Sequence, residues 1–167
     1  MTFESTEDYF YKINLWFSWV LAAPLVLFVI LYLEWRDDSW MAFLQSESLV
    51  QIATFLGIPI ILAIGLIAHL RFRKSIREIE PSIDLRNKLG NYASYFIRMQ
   101  LFFTISALIS MFSLFLTGSN LFAVYYLILL FFISLSRPSP QLISKQLKLN
   151  AENREILLKK KPLHNED

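Results

Sequence analysis

With 55% apolar and 16% aromatic residues and a mean hydropathy of +0.45, this 167-residue chain is too hydrophobic for a single soluble core of its length. Its formal net charge is +2, and having no cysteine it excludes disulfide frameworks, thiolate metal sites, iron–sulfur ligation and a cysteine nucleophile. Charged residues, 18% of the chain, crowd between apolar runs, the pattern of an all-α polytopic membrane protein.

The chain opens on an acidic stretch, residues 1–12, read as a cytoplasmic tail, in which Glu4, Glu7 and Asp8 precede Lys12. A spanning helix needs roughly 20 apolar residues, because a rise of about 1.5 Å per residue must cover about 30 Å of hydrocarbon. Residues 13–33 meet that need. The acidic lead, the length of the run and the Glu34-Trp35-Arg36-Asp37-Asp38 that follows argue for a permanent span over a cleaved signal peptide. Trp16 is expected at the inner headgroup level, Trp35 and Trp40 at the outer, and Trp19, one turn deeper, against another helix. Residues 39–44 are too apolar for a solvated loop and are expected along the outer interface or folded back on the bundle.

The second run, residues 49–70, carries Ala53, Gly57, Gly65 and His69 at multiples of four, with Ile61 in the remaining step, which predicts a close-packing helix face. Pro59 here and Pro24 in the first run each remove a backbone donor and favour a bend. His69 is read as an interfacial residue near the last carbonyls, beside Arg71. Residues 71–91 read as two helical pieces divided at Pro81, with Ser82 as N-cap of the second and a basic surface drawn to anionic lipid.

In the third run, residues 96–116, Ser106, Ser110, Ser113 and Thr117 share one helix face, and Gln100, Thr104 and Ala107 a neighbouring one. The hydroxyl stripe predicts a seam against the fourth run, residues 120–136, tied to it by the short connection at 117–120. A water-lined pore wall is the alternative, disfavoured because no carboxylate accompanies the stripe. None of the four runs has Asp, Glu or Lys near its centre, where coupled transporters and pumps keep an ionisable group.

Lysine and arginine set the orientation. The first tail and the first loop hold one each (Lys12, Arg36), the connection at 117–120 none, the second loop six and the last tail seven, with Arg98 just inside the third run. Four spans with both termini in the cytoplasm satisfy this asymmetry, in a membrane of the bacterial inner type.

After the last run, Arg137-Pro138-Ser139-Pro140 stops the helix. Leu142, Ile143 and Leu147 then recur as in a short surface helix, and Asn150 is placed as the cap of a second one reaching Lys160, with Ile156 and Leu157 on its apolar face and Lys159, Lys160 and Lys161 at its basic end. This cytoplasmic tail, residues 137–167, is read either as a docking surface for a partner or as lipid-adsorbed.

Paired haem ligands, a nucleophile–base pair, a glycine-rich phosphate loop and usable paired carboxylates are all missing, so the sequence predicts no cofactor, no metal and no enzyme. The expected function is a non-catalytic subunit or assembly factor of a larger membrane complex. The alternative is a small oligomeric transporter or channel. The expected partners are anionic headgroups on the cytoplasmic side and a membrane protein or further copies of the chain, not nucleic acid.

Overall fold

The computed structural model describes residue 3 and residues 5–36, 46–80 and 82–159, and these form six α-helices with no strand among them. They are α1 (Thr6–Arg36), α2 (Glu47–Arg77), α3 (Leu85–Thr117), α4 (Asn120–Leu135), α5 (Pro140–Gln146) and α6 (Ala151–Leu158). The first three are each long and apolar enough to cross a membrane, whereas α4 meets the same test only together with α5, across a bend of 84° that marks a broken span or a re-entrant pair. Trp40 and residues 39–44, Pro81, Lys160, Lys161 and residues 162–167 lie outside the described residues, as does the side chain of Trp35.

Within the acidic opening, residues 6–12 are already part of α1. The Ser5 hydroxyl accepts the Asp8 N–H at 3.1 Å, Glu7 and Asp8 occupy the positive end of the helix dipole, and Lys12 pairs with Asp8 at 2.7 Å. The physical reason is continuity of the buried face. Tyr9, Ile13 and Phe17 succeed one another at spacings of four, and all three are buried.

Both prolines are accommodated, since α1 and α2 run unbroken through Pro24 and Pro59. At the second connection, Asp84 and not Ser82 is the N-cap: its carboxylate accepts the Arg86 N–H at 3.1 Å. α2 and α3 therefore project well beyond their apolar runs, and only residues 78–84 turn the chain.

α3 is the central helix, packing against α1, α2 and α4. Of its most apolar window 39% is buried, against 17% for α1 and 11% for α2. Phe96 sits where three helices meet, 6.4 Å from the Phe17 ring of α1, 6.3 Å from the Phe72 ring of α2 and stacked at 6.1 Å on Tyr92. α3 ends at Gly118, whose φ of 63° lets its N–H return to the Leu114 carbonyl at 2.8 Å, a left-handed cap that other residues adopt only with strain.

α5 starts at Pro140 with the Ser139 hydroxyl accepting the Leu142 N–H, and it ends in a Schellman turn. There the Leu149 N–H reaches the Ser144 carbonyl at 3.1 Å and Lys148 holds the left-handed position at φ 48°. The Asn150 side chain caps α6 by accepting the Asn153 N–H at 2.9 Å. Both short helices fold back on the rest of the chain. Ile143 and Leu157 are fully buried, and the Tyr92 hydroxyl donates to Gln146 Oε1 at 2.9 Å.

Candidate functional site

The residues singled out from sequence divide between two interhelical seams and the folded-back tail. In the first seam, Gly57 and Gly65 bring α2 against different neighbours. A Cβ on Gly57 would stand 3.3 Å from the Phe122 ring of α4, and one on Gly65 3.2 Å from the Phe103 ring of α3. Ala53 is half-buried on the same side, whereas His69 is exposed. The reason is helical drift: at 100° per residue each step of four overshoots a full turn by about 40°, so the contact line moves to Ala68, Phe72 and Ile76. His69 therefore leaves the packing face, and Trp19, expected against another helix, is 68% exposed.

The second seam joins α3 to α4. Ser110, fully buried, donates from its hydroxyl across the seam to the Phe122 carbonyl at 2.8 Å, the one member of the stripe that bonds to another helix. Ser106 and Thr117 are also buried, but their hydroxyls bond back to the Phe102 and Ser113 carbonyls of their own helix, and Thr117 further accepts the Ser119 N–H. Ser113 is half-buried. The stripe lies in protein contact along its length, with three of its four side chains in the interior.

On the neighbouring face, Gln100 is fully buried, and neither end of its amide finds a hydrogen-bond partner among the described residues. An amide in that position is costly unless it is paired, so the bundle keeps it against its own stability. Spacing puts Gln100 on a polar face of α3, but nothing in the sequence signals its burial.

At the opposite end of α3 from Gly118, a polar group ties three segments together. The Tyr92 hydroxyl holds Gln146 of α5, Tyr9 of α1 is fully buried nearby, and Arg86 donates through Nη2 to the Phe3 carbonyl at 3.0 Å.

The tail is placed differently from the expectation of a docking face. Ile143 and Leu157, two of its predicted apolar contacts, are inside the molecule's own core. Leu142, Leu147 and Ile156 are half-buried, and Leu147 and Ile156 pack on that core. Lys159 is exposed and pairs with Glu155 at 2.8 Å on its own helix. An amphipathic face seeks the nearest apolar surface, and the projecting ends of α2 and α3 supply it.

Among the described residues no three His, Asp or Glu side chains gather as a metal site. The ion pairs Asp8–Lys12, Lys74–Glu78 and Glu155–Lys159 are local i,i+4 contacts on helix surfaces. Neither a protein-family model, nor a curated protein, nor a solved structure matches the chain.

Proposed function

We propose that the chain is an integral membrane protein with four membrane-crossing helices and cytoplasmic termini, in a membrane of the bacterial inner type. It acts without catalysis as a subunit or assembly factor of a larger membrane complex. One observation carries this reading: the outward faces of α1 and α2 are apolar and uncovered, with Phe55 80% exposed and most of both apolar windows open. Surface of that kind is covered in a membrane by acyl chains and by the helices of other proteins. α4 carries no charged residue, and its 16 residues reach roughly 24 Å, slightly short of the hydrocarbon layer, a mismatch that local thinning or its polar ends accommodate. The lysine and arginine asymmetry supports an orientation with the α2–α3 turn and α5–α6 on the cytoplasmic side.

Because the chain has no cysteine, single cysteines report its topology directly. Placed at Ser48 and Asn120, both exposed, they should react with an impermeant thiol reagent on intact cells. At Ser82 and Lys145, also exposed, they should react only after permeabilisation. The reverse pattern overturns the orientation. Purification in gentle detergent should bring down a larger membrane protein in fixed stoichiometry. A homo-oligomer alone would favour the second reading, a small oligomeric transporter or channel, for which the unpaired amide of buried Gln100 speaks.

A further inference from the structure

Between the inner ends of α2 and α3 lies a cleft of about 280 Å³. Arg71 and Ser75 line it from α2, and Tyr95, Arg98 and Phe102 from α3, with buried Ala68, Phe72 and Met99 completing its wall. Each helix contributes positions i, i+3, i+4 and i+7, a single face. Because the two helices form an antiparallel hairpin, the sets meet in reverse order. Phe72 faces Phe96 and Gly65 faces Phe103, so Ser75 and Tyr95 lie toward the mouth, Arg71 and Arg98 between, and Ala68 and Phe102 toward the deep end.

Two guanidinium groups thus share one cleft. Like charges so placed repel unless an anion lies between them. No carboxylate lines the cleft, neither arginine makes an ion pair or hydrogen bond among the described residues, and no acidic residue stands three or four positions from either on its own helix. The nearest acid along α2, Glu78, already faces Lys74 at 3.8 Å. Ser75 and Tyr95 add hydroxyls at the mouth, and the deep end is apolar.

We infer that this cleft binds the phosphate of an anionic phospholipid of the inner leaflet, with Arg71 and Arg98 on the phosphate and one acyl chain along Ala68 and Phe102. Guanidinium groups suit phosphate oxygens, and basic pockets between helices at the cytoplasmic surface are suited to lipid headgroups. The level fits, since Arg71 directly follows the second apolar run and Arg98 lies at the start of the third. A free phosphate would use the mouth and leave the apolar end without a role. The site rests on the reading that α2 and α3 cross the membrane.

The test uses the full chain in nanodiscs of phosphatidylcholine containing a minor fraction of phosphatidylglycerol, with the lipids retained on release counted by native mass spectrometry. Wild type should retain phosphatidylglycerol selectively, and Arg71→Gln with Arg98→Gln should weaken that retention by about tenfold or more, as expected for lost charge-assisted hydrogen bonds. Arg73→Gln with Lys145→Gln removes the same charge at exposed positions outside the cleft and should leave retention unchanged. Phe102→Ala, which strips the exposed apolar wall, should also weaken retention, and millimolar inorganic phosphate should not displace the lipid. The single variants Arg71→Gln and Arg98→Gln give the same readout if the double variant fails to insert. Equal retention by the two double variants, or full displacement by inorganic phosphate, overturns the lipid site. Alkaline carbonate extraction separates the premise: release of wild type from the membrane pellet sinks the membrane reading, whereas unselective retention by a chain that stays in the pellet sinks the cleft alone.

Discussion

The hydroxyl of Tyr126 in α4 donates a 2.6 Å hydrogen bond to the carbonyl oxygen of Pro24 in α1. The same phenol ring stacks on Phe28, one turn along α1, with centroids 4.0 Å apart and planes 13° from parallel. A polar tip and an aromatic face thereby fix the first long helix to the last at the proline that the sequence marks as a point of weakness. Tyr126→Phe keeps the stack and removes the bond, and is expected to lower stability by about 1 kcal/mol, because interhelical hydrogen bonds in bundles are individually modest. Unfolding of the detergent-solubilised chain in graded denaturant would show it, and a midpoint equal to wild type would remove this contact as a source of stability.

The two glycines of α2 predict a contrast along one helix. Gly57→Leu and Gly65→Leu drive a side chain into the Phe122 and Phe103 rings, and each should cost about 1 to 3 kcal/mol through overpacking. Ala63→Leu, on the exposed face of the same helix, should change the unfolding midpoint little. Three equal midpoints would show that α2 does not pack closely there.

Lys148 occupies the left-handed turn between α5 and α6, where a side chain is strained. Lys148→Gly should stabilise the chain by about 1 kcal/mol by relieving that strain. Lys148→Ala, which removes the charge and keeps a Cβ, should bring no such gain. A thermal melt of the three proteins side by side distinguishes backbone strain from surface charge.

The folded-back tail predicts that its apolar residues matter more than its lysines. Ile143→Ala and Leu157→Ala should each cost about 2 to 4 kcal/mol, the usual range for a truncated core side chain, and open the tail to limited proteolysis. Lys159→Gln loses only an exposed pair with Glu155 and should stay within about 0.5 kcal/mol of wild type. Proteolysis of the tail at wild-type rates in Leu157→Ala would mean that the tail is not held by its core contacts.

The helical runs were legible because length and apolar content are one-dimensional properties, and so was the seam between the third and fourth runs, which a short loop brings together whatever else the chain does. Ser110 reaches Phe122 for that reason. Contacts between distant segments were not legible. Nothing in the sequence near Pro24 refers to Tyr126, 102 residues away, and an amphipathic pattern such as Ile143 and Leu147 reads the same whether its apolar side meets lipid, a partner or the chain's own helix ends. Spacing alone also misplaced His69, since steps of four follow the helix surface for only two or three turns before the angular error exceeds the width of a contact.

On the four-span reading proposed above, the connection at Gly118 constrains how the chain enters a bilayer. Two residues, Gly118 and Ser119, separate α3 from α4, far too few to let one helix wait in the aqueous phase while the other crosses. The pair must be admitted together as a closed hairpin, with Ser110 already able to find the Phe122 carbonyl. With four crossings, an insertion machinery would meet three events where four apolar runs are written, and lengthening this one loop would restore the fourth.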